Sequence, residues 1–201
     1  MDFGIVPRTA VAWIMGVILS GCGHMPLTSM VTLAQINFET TDPAALRLAV
    51  KLPAAIRPQR DQVRLRLTVR LGGGAEATQD FVLKETSDPN DVAMLREEIE
   101  TSEHVFAYRL DAAEAARLAA FRDDQKKKQA ANGGRRGALT IAVVPETCRT
   151  GELAPGRPLF TTYLRTPETG RYVPLARDVD IQTLMPGRDL VSEMPPCGPK
   201  G

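Results

Sequence analysis

The chain has 201 residues, charged side chains at 24% and a formal net charge of +1. That balance lacks the basic bias that nucleic acid selects, so nucleic acid is not an expected partner. Aromatics make up 5%, and the one Trp, Trp13, falls in an N-terminal apolar run, which excludes a carbohydrate-stacking surface rich in Trp.

That apolar run, Ala10 to Leu19, is the first element. It has the length of a signal-peptide core and is short of the roughly 20 residues a spanning helix needs. It ends in Leu19-Ser20-Gly21-Cys22. These four residues resemble the lipobox of bacterial lipoproteins: a large or branched apolar residue, two small ones, then cysteine. The resemblance implies that residues 1–21 are a signal peptide. It also implies that the Cys22 sulfur takes a diacylglycerol and that the freed amine is acylated, with chains such as palmitate. Several acyl chains would hold a folded domain firmly at a membrane where one is marginal. Gly23 stands where enteric members of the class carry an inner-membrane Asp, so the expected address is the outer membrane, facing the periplasm. No Asp, Glu, Lys or Arg occurs from Thr9 to Phe38, which keeps an uncleaved anchor helix as the rival reading. Gly21, Gly23, His24 and Pro26 interrupt that helix.

Residues 22–29 read as a tether, 30–185 as one domain and 186–201 as a Pro- and Gly-rich tail. Met30–Phe38 is a first strand candidate. Leu46–Leu52 alternates, with Leu46, Leu48, Val50 and Leu52 opposite Arg47, Ala49 and Lys51. Pro53 and Pro58 bound a loop. Gln62–Leu71 has the strongest strand pattern, with Val63, Leu65, Leu67, Val69 and Leu71 on one face and Arg64, Arg66 and Arg70 on the other. Gly72-Gly73-Gly74 ends it in a turn, and Thr78–Glu85 follows. These successive strands predict an antiparallel meander with one packed and one wet face.

The period then changes. Val92, Leu95 and Ile99 predict a short amphipathic helix within Ser87–Glu100, with Ser87 or Asp88 as its cap and Pro89 in its first turn. Val105–Leu110 is a strand. Asp111 and Glu114 resemble a capping box for an Ala-rich helix, with Lys126-Lys127-Lys128 near its end and Asn132-Gly133-Gly134 as its stop. Ala138–Val144 is apolar on both faces and reads as a central strand. Leu159–Arg165 and Arg171–Ala176 form a hairpin around Thr166–Gly170. Val179–Leu184 is a last strand candidate. Without strand–helix alternation, this order predicts an antiparallel β-sandwich, immunoglobulin-like or transthyretin-like, with one or two inserted helices.

With Cys22 assigned to lipid, Cys148 and Cys197 remain, an even pair that predicts one disulfide tying the tail to the core. Motifs for chemistry are sparse. The sequence has no GxSxG, HExxH, CxxC or P-loop, so no metal or cofactor is expected. His24 lies beside the lipidation position. A hydrolase would therefore have to use His104 with Asp178 or Asp180. Other carboxylates cluster at Glu97, Glu98 and Glu100 and at Asp123 and Asp124, where solvated charge is the simpler account. Arg64, Arg66 and Arg70, with Arg47 and Lys51 if the strands are neighbours, would make a cationic face for anionic glycan or phospholipid heads. Lys126–Arg136 is a second basic stretch. The main expectation is a lipid-anchored accessory module, not an enzyme, that docks to another envelope protein.

Overall fold

A computed structural model describes residues 36–72, 74, 76–134, 137–184 and 189–198. The lipobox, the tether and most of the Met30–Phe38 strand candidate lie outside these residues. Its described end, Ile36–Phe38, is not strand. Instead the Asn37 carbonyl accepts the amides of Thr40 and Thr41 in a turn.

Eight strands and three helices follow: β1 (Arg47–Pro53), β2 (Ile56–Arg70), β3 (Glu76–Val82), β4 (Lys84–Thr86), α1 (Pro89–Leu95), β5 (Glu103–Arg109), α2 (Ala112–Ala131), β6 (Ala138–Arg149), β7 (Leu159–Arg165), β8 (Val173–Asp180) and α3 (Leu190–Glu193). They form two antiparallel sheets, one ordered β4-β5-β1-β7-β8 and the other β3-β2-β6. This is the mostly β, two-sheet architecture with inserted helices that the sequence predicts.

The core fills the space between the sheets. Leu48, Val50 and Leu52 of β1 and Val63, Leu65 and Leu67 of β2 are all nearly inaccessible to solvent. They join Phe81, Tyr108, Leu118 and Leu164 in one cluster. Period-two alternation places every second residue of β1 and β2 inward, so two facing apolar rows close against each other.

Several expectations change. The first strands are not one meander, because β1 pairs with β5 and β7 while β2 pairs with β3 and β6. Two residues, Ala54 and Ala55, carry the chain from one sheet to the other. Both β1 and β2 have one apolar row, and facing rows bury more apolar surface than neighbouring rows would. Pro58 lies inside β2 rather than bounding a loop. It sits where the β2–β6 register shifts and where β3 does not reach, so its missing N–H leaves no gap in the β2–β3 ladder. Asp61, at φ 59°, takes the left-handed turn within that bulge.

Ala138–Val144 is not central. It belongs to β6, an edge strand among the described residues. Its outward residues Ala142 and Val144 lie in register with Arg66 and Arg64, whose aliphatic stems give them apolar neighbours. The Thr78–Glu85 strand is two, with Leu83 stepping between sheets. The last strand candidate is divided: Val179 and Asp180 finish β8, and Ile181–Leu184 is a 3-10 turn. The tail is less irregular than expected. It holds α3, and Met194 joins the core.

The helices start where the caps predict. The Asp88 carboxylate accepts the Asn90 amide, and the Asp111 carboxylate accepts the Glu114 amide at 2.8 Å. The capping box at α2 is half formed, because the Glu114 carboxylate takes the Val82 amide of β3 instead. That bond and Leu118 fix α2 across the three-stranded sheet. The α1 stripe is rotated from expectation: Asp91 and Leu95 are buried, whereas Val92 and Ile99 are 47% and 45% exposed.

Candidate functional site

The three predicted anion-binding residues share the outer face of β2. Each already meets a carboxylate on a neighbouring strand. Arg66 reaches Asp80 through two bonds of 2.7 Å, Arg70 meets Glu76 at 3.1 Å and Arg64 meets Glu146 at 3.1 Å. Thr68 and Thr78 bond between them. The Arg66 guanidinium holds the Asp80 carboxyl below the usual carboxylate range. The face is therefore a ladder of cross-strand pairs. Arg47 and Lys51 do not extend it, because β1 lies in the opposite sheet. There Lys51 pairs with Glu103 at 2.9 Å. In the second basic stretch, Lys126 faces Glu39 at 3.9 Å and Lys128 faces Asp124 at 2.6 Å.

The hydrolase constellation is not brought together. His104 is exposed on β5, edge-on to Phe106. Asp178 and Asp180 are on β8, with β1 and β7 between. Three strand spacings amount to about 14 Å, far beyond hydrogen-bond reach. Asp178, at φ 52°, closes a bulge by accepting from and donating to the Thr161 hydroxyl through its side chain and its amide. Asp180 caps the 3-10 turn through the Gln182 amide and approaches Arg157 at 4.0 Å. Among the described residues, no three His, Cys, Asp or Glu side chains are grouped to hold a metal, and no helix is long and apolar enough to cross a membrane. Cys22 lies outside the described residues. Cys148 and Cys197 are joined as a disulfide, and the Cys197 amide donates to the Arg149 carbonyl, so the tail is pinned to β6.

Two features were not foreseen. The first is a buried charge on the outer face of the five-stranded sheet. Asp91 is fully buried and receives Arg165 at 2.8 Å and the Tyr172 hydroxyl at 3.0 Å. Arg47 approaches its other oxygen at 3.5 Å, close enough for charge attraction but without a hydrogen bond. Beside it, the Tyr163 hydroxyl donates to Glu98 at 2.8 Å. Burial, and then these carboxylates, push both phenols well above their usual pKa. The cluster clamps α1 to β1 and β7 and leaves Val92, Met94 and Ile99 facing out. Val92 and Ile99 line a hollow together with Leu95, Val105, Phe106 and Ala107. Glu85 also lines it, and Asp88, Glu97 and Glu100 belong to the same stretch of chain, in which Arg96 is the one cation. No local sequence signal marks Asp91, because its partners come from two distant segments, β1 and the β7–β8 hairpin.

The second feature is a cavity of about 400 Å³ between α2, the far end of β2, the start of β6 and residues 36–39. The inward row of β2 is longer than its cover. Leu67 is buried, but Val69 and Leu71 are half-buried, and Leu139, in register with Val69, is 41% exposed. On the helix side Gln125 is 6% exposed, and its amide oxygen has no hydrogen-bond partner. One turn earlier, Arg122 donates through Nη1 to the carbonyls of Phe38 and Thr41, while its buried Nε has none.

No protein-family model, curated protein or solved structure matches the chain.

Proposed function

We propose that the protein is a lipid-anchored module of a bacterial envelope, held at the outer membrane through Cys22, whose sandwich docks to another envelope protein. The observation that carries the docking role is the clamped apolar pair Val92 and Ile99, 47% and 45% exposed, which line the hollow beside α1. Exposed apolar groups grouped on a rigid support mark interaction surfaces. The acidic balance of this segment, Glu85, Asp88, Glu97 and Glu100 against Arg96, favours a partner with an apolar segment flanked by Lys or Arg. The anchor reading draws support from the lipobox residues, and the disulfide is compatible with an oxidising compartment.

Two measurements test the proposal. Cells fed labelled palmitate should label the wild-type chain and not Cys22→Ala; an unlabelled wild type removes the anchor. A photo-crosslinking residue at Val92 or Ile99 should yield one partner peptide that is apolar and flanked by basic residues. Val92→Glu should abolish that product while the disulfide still forms. Crosslinks to a peptide without that character, or none, would overturn the docking role.

A further inference from the structure

We infer that the partner binds as an extended segment, which adds as an antiparallel strand to the open edge of β5 and seats one apolar side chain against Val92 and Ile99. The inference rests on the docking reading above and names the form in which the partner is held. The hollow measures about 140 Å³. That is small for a ligand site, since such sites run from about 300 to 1,000 Å³, and it suits a single aliphatic side chain.

The backbone beside the hollow specifies the strand. Pro53 lies opposite Glu103, and the Ala54 amide donates to the Ser102 carbonyl at 2.9 Å. That bond brackets the Pro53–Glu103 pair, which therefore exchanges no bonds of its own, and the bonded pairs alternate from Leu52 with His104 onward. Val105, opposite Lys51, thus turns its amide and carbonyl away from β1. On that other side β4 pairs Lys84 with Arg109 and Thr86 with Ala107, and then ends. The next place in its lane would fall to Asp88, but the Asp88 amide donates to the Thr86 hydroxyl and its carbonyl accepts the Val92 amide. The Val105 amide and carbonyl have no hydrogen-bond partner among the described residues, and Val105 lines the hollow. An edge left open in this way is a template for a strand from another chain. The β3 and β8 edges are blunted instead: Glu114 takes the Val82 amide, and Pro174 and the bulge at Asp178 interrupt β8. A residue opposite Val105 would exchange two hydrogen bonds with it and project its side chain on the same face, where Val105 packs beside Leu95. The second residue after it would lie opposite Glu103. With Glu85, Asp88, Glu97 and Glu100 against Arg96 in the adjoining chain, that place favours Lys or Arg. The recognised pattern is an apolar residue, any residue, then a cation.

The test selects short random peptides, displayed on phage, against the full chain in mild detergent. Enriched sequences should share that spacing. The most enriched peptide is then synthesised and its affinity read by fluorescence anisotropy. N-methylation of its apolar residue should weaken binding about three- to tenfold, the factor for one lost hydrogen bond. Methylation of either neighbour, whose amide faces away from β5, should change binding by less than about twofold. Val105→Pro removes the edge amide and spares the ladder to β1, an arrangement that tolerates Pro; it should weaken binding by a similar factor with an unchanged near-ultraviolet circular dichroism spectrum. The methylation series leaves the protein unaltered and decides the question if Val105→Pro does not fold. Val92→Glu should abolish binding. Loss with Val92→Glu but no alternation along the methylated peptides and no effect of Val105→Pro would overturn the strand and leave the docking reading standing. Failure to enrich any peptide, equal binding to Val92→Glu, or a dimer of this chain that Val105→Pro dissociates would overturn both.

Discussion

Removing the carboxylate of Asp91 should unfasten α1 from the sandwich before it unfolds the core. In the wild type this side chain is fully buried and meets Arg165 at 2.8 Å, Tyr172 at 3.0 Å and Arg47 at 3.5 Å. Asp91→Ala would leave two guanidiniums, each about one-fifth exposed, facing each other without a counter-charge. Breaking a buried pair in this way costs about 3–5 kcal/mol. That is a large part of the roughly 5–15 kcal/mol that holds a domain together. Asp91→Asn keeps an acceptor for Arg165 or Tyr172 but loses the charge, so about 2 kcal/mol is expected. α1 has seven residues and is too short to persist unsupported. The assay is urea unfolding with hydrogen exchange read by peptide. The midpoint should fall for both variants, more for Ala, and protection should be lost first across Pro89–Leu95. A shift below about 1 kcal/mol for Asp91→Ala, with unchanged exchange in that peptide, would show that the cluster is no stronger than a surface pair and refute the reasoning.

The chain has three tyrosines, Tyr108, Tyr163 and Tyr172, and burial pushes all three phenols up. The unfolded chain therefore releases phenolic protons first, so stability is full below the ordinary value near 10 and falls above it by about 1.4 kcal/mol per pH unit for each group. Ultraviolet titration should show no tyrosine ionising normally, and all should appear together with alkaline unfolding. At the acid end, Arg66 lowers Asp80; its contribution is present above the ordinary carboxylate value and lost as pH falls through its own. With Arg66 45% exposed, Asp80→Asn should reduce stability at neutral pH by under about 1 kcal/mol, and the difference should shrink as pH falls below the ordinary carboxylate range. Reduction of Cys148–Cys197, or Cys197→Ala, opens a loop with a sequence separation of 49. The loop-entropy estimate is about 4 kcal/mol, to be read as a lowered denaturation midpoint.

Elements with a strong local period were legible from residues alone. Arg47–Pro53 and Val63–Arg70 alternate along their length, and α2 carries its cap and its stop. The pair Cys148 and Cys197 followed from counting. The arginine row was legible as a row, but not as a ladder, because Asp80, Glu76 and Glu146 reach it only through strand pairing. The α1 stripe was misjudged because Val92, Leu95 and Ile99 fit a helical period as well as Asp91 and Leu95 do. A period tells which residues share a face and not which face is covered. No window could expect a buried Asp there.

Alternating side chains and capping residues act over a few positions, and the sequence by itself settled the kinds of element and much of their extent. Tertiary structure alone decided which strands pair, that β1 and β2 face each other across the core, that Asp91 goes inside, and that the β2 row outruns its cover and opens a cavity. These outcomes depend on apolar area and charge contributed by segments far apart in the chain, and such sums exist only once the sheets have met.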